Sequence, residues 1–460
     1  MLDAKLTSHL QQIVGAAHVS AAESVLDLHS RDQSAHRPAR PDAVVWPADT
    51  HQVQQIVRLA AENGVPLVGW GAGSSLEGNP IPVHGGLVVN FARLNRILAV
   101  YPDDFQVVVQ PGIFYKDMNH TLAAHGLFFA PDPGANASIG GMVANNAAGT
   151  RTPKYGATRD NVLALEVVLA SGEVIRTGSR AIKQSAGYDL THLFVGSEGT
   201  LGLVTEATLR LAPLPAQVSA ATAAFATTAI AAQAVSDIIG AGLNPAALEL
   251  LDTATVQAMN AAGGFDLPVA PLLLMEFHGA SPAALEAELA MVQEICTAHG
   301  CLAFRPGLGW DARNQLWQAR HQLGELLPRT HPGRAFLITD VAVPISQYPA
   351  LVAHATKTLQ GLSGVDGYIF GHAGDGNMHS IIFFADEADQ YARVLAGFND
   401  SVVARALELE GTCSGEHGVG IGKQKYLPQE VGPGALAVMR QIKQVLDPAG
   451  IMNPGKVIPE

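Results

Sequence analysis

The chain has 460 residues, of which 48% are hydrophobic, and this length is sufficient for two or three globular domains. Its net charge of −13, with no block of lysine or arginine, argues against nucleic acid or an anionic membrane surface as the main partner. Three cysteines (Cys296, Cys301 and Cys413) without CxxC spacing favour a reducing compartment, so we expect a cytoplasmic protein. We expect no transmembrane segment, because no run of about eighteen apolar residues occurs, and residues 1–10 lack the apolar core of a signal peptide.

The first clear elements are a helix over residues 51–63 and a strand over residues 65–69. Asp49 and Thr50 supply the start signal of the helix, and Gly64 supplies its end. The strand opens into a glycine-rich loop at residues 69–78, where bare backbone N–H groups can close around a phosphate.

This loop does not fit a Rossmann fingerprint. A dinucleotide-binding turn must lead into a helix whose N-terminus meets the pyrophosphate. Here the loop leads instead into Asn-Pro-Ile-Pro and a strand over residues 86–91. No Walker A sequence is present either, so the loop predicts phosphate binding of another kind.

Two further segments are rich in small residues. Residues 131–149 read Pro-Asp-Pro-Gly-Ala-Asn-Ala-Ser-Ile-Gly-Gly-Met-Val-Ala-Asn-Asn-Ala-Ala-Gly, and residues 196–204 read Gly-Ser-Glu-Gly-Thr-Leu-Gly-Leu-Val. The small residues of 131–149 let the backbone lie against something flat, although close packing of a helix on a sheet is an alternative for this segment. Between them, strands over 162–169 and 173–176 predict a hairpin.

After Pro213 and Pro215 the composition changes, which indicates a domain boundary. An alanine-rich helix at 227–240 is followed by a strand at 272–278, a helix at 282–298 and a strand at 301–305. This alternation is typical of a ferredoxin-like α+β sheet.

Residues 368–384 predict a β-hairpin that carries two histidines. If Asp375 and Gly376 form a two-residue type I′ turn, His372 lies opposite His379 on one face of the hairpin. Glu416 and a third imidazole follow in the glycine-rich residues 411–423. Two histidines and a carboxylate form a common open metal site. The alternative is that each histidine is satisfied locally.

Together these motifs resemble the flavin-dependent 2-hydroxyacid dehydrogenases of the vanillyl-alcohol-oxidase (PCMH-type) flavoproteins, a group that includes D-lactate dehydrogenase and the glycolate oxidase catalytic subunit. The resemblance covers residues 44–456. It is carried by Gly-Ala-Gly-Ser-Ser-Leu-Glu-Gly at 71–78, Pro-Asp-Pro at 131–133, Gly-Gly-Met-Val-Ala-Asn-Asn at 140–146, Gly-Tyr-Asp-Leu at 187–190, Gly-Ser-Glu-Gly at 196–199, Gly-His-Ala-Gly-Asp-Gly-Asn at 371–377, Gly-Glu-His at 415–417 and Asn-Pro-Gly-Lys at 453–456.

The resemblance implies an α+β fold with a PCMH-type, two-subdomain FAD-binding domain at residues 1–215 and a ferredoxin-like cap domain with the metal site at 216–425. Residues 426–460 are then expected to return to the FAD domain. It also implies FAD, held without a covalent bond because the loop at 71–78 has no His or Cys. The residues expected to contact FAD are Gly71, Ala72, Gly73, Ser74, Ser75, Gly78, Asn79, Pro131, Asp132, Pro133, Gly134, Ser138, Gly140, Gly141, Asn145, Gly149, Glu198, Gly199, Val204 and Asn453.

The resemblance further implies a zinc or manganese ion on His372, His379 and Glu416, with His417 as the catalytic base. A 2-hydroxyacid chelating this ion would have an acidified hydroxyl. Asn377 is expected to orient the substrate or a ligand. Arg320 is expected to hold the substrate carboxylate, with a surface ion pair as the alternative.

Substrate and partners are expectations from the same resemblance. Relatives acting on 2-hydroxyglutarate place a lysine before an acidic residue, whereas this chain has Thr339 before Asp340, so D-lactate is favoured. D-2-hydroxyglutarate and glycolate remain alternatives, as do a metal-dependent hydrolase and a non-redox flavin transferase resembling alkylglycerone-phosphate synthase. The expected electron acceptor is a quinone, a cytochrome or an electron-transfer protein, which would give a peripheral membrane association. A homodimer is a further expectation for the oligomeric state.

Overall fold

The computed structural model describes residues 3–262, 266–308, 310–321 and 323–459. They form two compact units. Unit 1 comprises residues 1–148, 156–214 and 416–460, and unit 2 comprises residues 149–155 and 215–415. The chain leaves unit 2 between Gly415 and Glu416, whereas the sequence placed the end of the cap domain at residue 425.

The described strands, in chain order, are β1 (Val19–Ser20), β2 (Ala43–Val45), β3 (Leu67–Trp70), β4 (Leu87–Asn90), β5 (Ile97–Tyr101), β6 (Gln106–Val109), β7 (Leu127–Phe128), β8 (Val162–Val168), β9 (Val174–Gly178), β10 (Leu203–Arg210), β11 (Ala212–Pro213), β12 (Gln217–Ala224), β13 (Ala247–Leu251), β14 (Leu272–Gly279), β15 (Ala303–Leu308), β16 (Arg334–Ala342), β17 (Asp366–Gly371) and β18 (Asn377–Ala385).

The described α-helices are α1 (Ala4–Val14), α2 (Glu23–Leu28), α3 (Thr50–Asn63), α4 (Tyr115–Leu122), α5 (Ile139–Asn145), α6 (Thr152–Tyr155), α7 (Thr158–Asn161), α8 (Leu190–Phe194), α9 (Thr228–Gly240), α10 (Thr253–Ala262), α11 (Pro282–Ala298), α12 (Trp310–His321), α13 (Leu323–Thr330), α14 (Tyr348–Gln360), α15 (Ala388–Val394), α16 (Asp400–Glu408) and α17 (Leu427–Leu446). Among the described residues, no helix is both long and apolar enough to cross a bilayer.

Unit 1 contains two main sheets. The first has the order β1-β2-β4-β3, in which β2, β4 and β3 run parallel, and α1 and α3 pack on it. The second is antiparallel, with the order β5-β6-β10-β8-β9, and it packs against α4 and α5. Two small sheets, each with its own apolar core, match the two-subdomain arrangement expected from the sequence.

Unit 2 is built on one seven-stranded antiparallel sheet with the order β15-β12-β14-β13-β17-β18-β16. One face of this sheet is covered by α10, α12 and α13, which contribute Val256, Trp317 and Leu327 to a common apolar core. The strands β13, β14 and β18 are almost entirely buried, so any charged side chain that points from them must find a partner inside the unit.

Candidate active site

The glycine-rich loop after β3 presents bare backbone N–H groups. Among the described residues, none accepts a hydrogen bond from the N–H groups of residues 72–75. Gly73 and Gly78 have φ angles of +67° and +74°, in the left-handed region that favours glycine. Successive backbone N–H groups in such a turn form a concave site for an anion, so the loop fits a phosphate group.

The second small-residue segment lies directly against this loop. A Cβ atom on Gly71 would lie 2.0 Å from the Oγ of Ser138, the residue that caps α5. On α5 itself, a Cβ on Gly140 would lie 2.6 Å from the Cβ of Pro111. Close packing therefore explains why these two positions carry no side chain.

The third small-residue segment is tied to the other two through Glu198. This residue is buried, and its carboxylate accepts hydrogen bonds from Asn79 Nδ2 at 2.7 Å, from the N–H of Val419 at 2.7 Å and from the N–H of Gly420 at 2.9 Å. Its own N–H donates to the carbonyl of Ala144 at 2.8 Å. Burial raises the pKa of Glu198. The carboxylate thus cross-links loops of unit 1.

The C-terminal segment fastens the same loops. Asn453 Nδ2 donates to the carbonyl oxygens of Asn79 at 3.0 Å and Glu198 at 2.7 Å. Lys456 Nζ donates to the carbonyl of Ile81 at 2.6 Å, and burial lowers the pKa of Lys456 to about 8. Unit 1 therefore brings the three small-residue segments together, and hydrogen bonds from its C-terminal residues hold them in place.

The remaining residues expected to contact FAD are distributed over these segments. Asp132 is 3% exposed and Asn145 Nδ2 donates to the carbonyl of His417 at 3.3 Å. Unit 1 contains Ala72, Ser74, Ser75, Pro131, Pro133, Gly134, Gly141, Gly199 and Val204, whereas Gly149 opens the short segment assigned to unit 2. Their contacts with a cofactor stay a prediction.

The two hairpin histidines of unit 2 are neighbours, although the predicted register was wrong. The ring centroids of His372 and His379 lie 5.2 Å apart, with the ring planes at 87°. His379 pairs across the hairpin with Phe370 rather than with His372. The cause is the turn, which is a 3₁₀ turn over Ala373–Asp375 instead of a two-residue type I′ turn.

A buried glutamate orients one of these histidines. Glu249 on β13 is 0% exposed, and its Oε1 lies 2.7 Å from His372 Nδ1. Arg320 Nε donates to its Oε2 at 2.6 Å. Burial alone would raise the pKa of Glu249, but the charges of Arg320 and His372 hold it below its usual value. Arg320 is itself buried, so the surface ion pair considered from the sequence is wrong.

A second cluster of polar side chains surrounds Asp340 on β16. Asn377 Nδ2 donates to Asp340 Oδ1 at 2.8 Å, and Ser414 Oγ donates to Asp340 Oδ2 at 3.1 Å. His379 Nδ1 lies 3.6 Å from Asp340 Oδ1. A Cβ on Gly415 would lie 2.1 Å from Asn377 Nδ2, so the backbone passes directly over this amide.

Glu416, which directly follows Gly415, and His417 are the first two residues of the last segment of unit 1. Glu416 Oε1 lies 4.0 Å from His417 Nε2. The carbonyl of His417 also accepts a hydrogen bond from Asn79 Nδ2 at 3.4 Å. Their predicted roles as metal ligand and catalytic base stay predictions.

Sequence reasoning missed Glu249 and gave Asp340 and Ser414 no role in the site. A signal was present for Glu249, because a single charge stands inside the apolar run Ala-Leu-Glu-Leu-Leu of β13. A charge in such a strand is rarely buried unless it is paired. Ser414 carried no comparable signal, since its contact with Asp340 joins residues 74 positions apart.

Two protein-family models match the chain. The one described as "FAD binding domain" matches residues 41–178, and the one described as "FAD linked oxidases, C-terminal domain" matches residues 214–457. The chain belongs to the FAD-linked oxidase family. This FAD-linked oxidase is 40% identical to the mitochondrial "D-lactate dehydrogenase [cytochrome]" of Arabidopsis thaliana, over 94% of this chain and 76% of the relative. It is 35% identical to "Glycolate oxidase subunit GlcD" of Bacillus subtilis, over 99% of this chain and 97% of the relative.

Solved structures support the fold of the FAD-linked oxidase. It superposes on p-cresol methylhydroxylase with a TM-score of 0.78, at 19% identity, over 98% of this chain and 96% of that chain. This confirms the predicted PCMH-type α+β fold. The predicted resemblance to D-lactate dehydrogenases is also confirmed, and the protein is an FAD-dependent oxidoreductase of that kind.

Proposed function

We propose that this FAD-linked oxidase oxidises a short D-2-hydroxyacid, with D-lactate favoured, to the corresponding 2-oxoacid. In this proposal a zinc or manganese ion, bound by His372, His379 and Glu416, holds the substrate. The observation that carries the proposal is the pair of buried imidazoles with ring centroids 5.2 Å apart, one of them bonded through Nδ1 to the buried Glu249.

The donor set suits the proposed ion. Imidazole nitrogens and a carboxylate oxygen are good ligands for zinc and manganese, and a site with three protein ligands leaves positions for a chelating substrate. The side chains of His372 and His379 are 8% and 5% exposed, so bulk water competes little for their nitrogens. A bound divalent cation would supply a Lewis acid that lowers the pKa of the substrate hydroxyl.

The loop at residues 71–78 supports non-covalent FAD. The bare N–H groups of residues 72–75 fit a diphosphate, and the loop contains neither a histidine nor a cysteine that could attach a flavin. Bound FAD would accept two electrons from the α-carbon of the substrate.

The remaining steps belong to side chains of this chain. His417 takes the hydroxyl proton of the substrate, a task for which a neutral imidazole has a suitable pKa near pH 7. Asn377 donates through Nδ2 to Asp340 and to the carbonyl of Val341, which leaves its Oδ1 to orient the substrate or a ligand. Arg320 faces Glu249 through Nε and Nη2, so it would reach the substrate carboxylate through Nη1.

The strand β16 supports a substrate with a single carboxylate. Thr339, which stands where relatives acting on 2-hydroxyglutarate have a lysine, is fully buried, and its Oγ1 donates to Asn399 Oδ1 at 2.9 Å. A distal carboxylate would therefore meet no cation at this position. D-lactate fits this limit, and glycolate is the next candidate, whereas D-2-hydroxyglutarate is disfavoured.

The proposed electron acceptor is a cytochrome, a quinone or an electron-transfer protein, since a relative is named a cytochrome-linked D-lactate dehydrogenase. A cytoplasmic location, a peripheral membrane association through the acceptor and a homodimer stay predictions from the sequence. A non-redox transferase would carry flavin but would produce no net oxidation of a hydroxyacid.

The test is an anaerobic screen of D-2-hydroxyacids against the purified, FAD-loaded protein, with the visible flavin absorbance as the signal. We expect fast bleaching by D-lactate, slower bleaching by glycolate and D-2-hydroxyglutarate, and none by L-lactate. A protein that stays oxidised with every hydroxyacid would refute the proposal. Preference for D-2-hydroxyglutarate would refute the argument from Thr339.

A further inference from the structure

Two buried glutamates lie side by side on one face of the sheet of unit 2. Glu276 on β14 pairs in register with Ala247, and Glu249 lies two residues further along β13, so both point to the same face. Both are 0% exposed. Two neighbouring negative charges at such a depth require compensation from the element that covers this face.

Helix α12 supplies that compensation twice. Arg320 Nε lies 2.6 Å from Glu249 Oε2, and Arg313 reaches Glu276 Oε2 through Nε at 2.8 Å and Nη2 at 2.5 Å. The two arginines are seven positions apart, which places them on the same side of the helix. Each glutamate is thus held as a carboxylate by its own guanidinium.

Each glutamate also bonds one histidine, and the two histidines differ in a useful way. Glu249 bonds Nδ1 of His372 at 2.7 Å, whereas Glu276 bonds Nε2 of His278 at 2.5 Å. The other nitrogen of His278 bonds the hydroxyl of Tyr155 at 2.7 Å, inside the protein. The Arg-Glu-His arrangement therefore occurs once at a proposed metal ligand and once at a histidine with no proposed ligand role.

We propose that Glu249 is a positioning residue that fixes the tautomer and orientation of His372 for metal binding. An ionised carboxylate can only accept hydrogen bonds, so His372 must carry its proton on Nδ1. Nε2 is then the only ring nitrogen of His372 that can bind a metal, and the carboxylate raises its basicity. Arg320 Nε donates to the other oxygen of Glu249, which holds this carboxylate in place beside His372 and gives Arg320 a role in the site beyond any contact with substrate. This inference rests on the proposed metal site.

The test compares Glu249→Gln with the matched control Glu276→Gln. Both substitutions preserve side-chain size, and both remove a buried negative charge beside an arginine of α12, so their effects on stability should be similar. The FAD content and the thermal unfolding of each purified protein are recorded first. The affinity for Zn²⁺ and Mn²⁺ is then measured by competition with a chromophoric chelator, after removal of bound metal.

We expect Glu249→Gln to weaken metal binding about 10- to 100-fold, the usual effect of removing a carboxylate partner from a ligand histidine, with FAD retained. Glu276→Gln should bind metal as the wild type does. Visible spectra of the Co²⁺-loaded proteins should change for Glu249→Gln alone.

Equal metal affinity in Glu249→Gln and the wild type would overturn the inference while leaving the proposed metal site intact. Equal weakening in both variants would also overturn it, because the effect would then come from general loss of buried charge. A wild-type protein that binds no divalent metal would instead remove the metal site itself, and the inference with it. If Glu249→Gln fails to fold, the double variant Glu249→Gln/Arg320→Gln, which removes both charges, takes its place with the same expected loss.

Discussion

Gly415→Ala places one methyl group into the polar cluster around Asp340. The added Cβ would lie 2.1 Å from Asn377 Nδ2 and 2.7 Å from Asp340 Oδ1, far inside van der Waals contact. These two atoms are themselves joined by a hydrogen bond of 2.8 Å, and both residues are buried. The methyl group therefore cannot be accommodated without separating the amide from the carboxylate.

The expected loss of stability can be worked out from these contacts. Leaving a buried polar group without its partner costs about 1–3 kcal/mol. Overpacking by one methyl group costs about 1–3 kcal/mol more. Since the φ angle of Gly415 is outside the left-handed region, no backbone strain is added. We expect a total loss of about 2–6 kcal/mol.

The assay is thermal unfolding of the FAD-loaded protein, followed by anaerobic reduction with D-lactate. Gly434→Ala in α17 is the control, since a Cβ there has no atom within 4 Å, and it should be neutral or stabilising by about 1 kcal/mol. Gly415→Ala should lower the unfolding temperature by several degrees and slow flavin reduction. An unfolding temperature and a reduction rate equal to those of the control would refute the reasoning.

Three other substitutions test separate parts of the account. His417→Ala should slow flavin reduction by D-lactate about 100- to 10,000-fold with FAD still bound, as loss of a general base does; an unchanged rate in stopped-flow measurements would remove the base assignment. Gly71→Ala should lower the FAD-to-protein ratio of the purified enzyme, because the added Cβ would lie 2.0 Å from Ser138 Oγ and would displace the proposed phosphate loop. Full FAD occupancy would contradict this. Burial lowers the pKa of Lys456 to about 8, so above that pH the folded chain releases this proton while the unfolded chain still holds it. The free energy of unfolding should therefore rise with pH above the pKa of about 8, by up to about 1.4 kcal/mol per pH unit. Lys456→Met should flatten that rise between about pH 8 and about pH 10, and an equal rise in unfolding temperature for both proteins would contradict the assignment.

Local sequence signals were sufficient to predict an element whose limits are set by the capping residues at its two ends. The predicted helix over residues 51–63 is α3, whose cap residue Asp49 accepts the N–H of Gln52 at 2.8 Å. Its end is Gly64, with φ of +61°. Capping is a contact between residues three or four positions apart, so the sequence contains all the information that it needs.

The hairpin shows where local signals failed. The pair Asp375-Gly376 has the composition of a type I′ turn, but a Cβ on Gly376 would lie 2.1 Å from the carbonyl oxygen of Val343. A glycine is therefore needed at position 376 in part because the backbone of Val343, just after β16, lies too close for a side chain. This tertiary contact overrides the turn preference, and the register of His379 shifts with it.

The buried charges were beyond local reasoning for a related reason. Glu249 and Glu276 each lie in an apolar strand. Their ion-pair partners, Arg320 and Arg313, are supplied by α12, which packs on the sheet only in the folded protein. Sequence reasoning identified the two hairpin histidines but not the carboxylate that orients one of them. The pairing joins residues 123 positions apart in the chain, a separation that no local pattern records.

The most direct test of the central claim is anaerobic reduction of the purified, FAD-loaded protein by D-lactate before and after treatment with a chelator. We predict that D-lactate bleaches the flavin, that chelation abolishes the reaction while FAD stays bound, and that added Zn²⁺ or Mn²⁺ restores it. Bleaching that continues unchanged in the metal-free protein would contradict the claim that His372, His379 and Glu416 act through a bound cation.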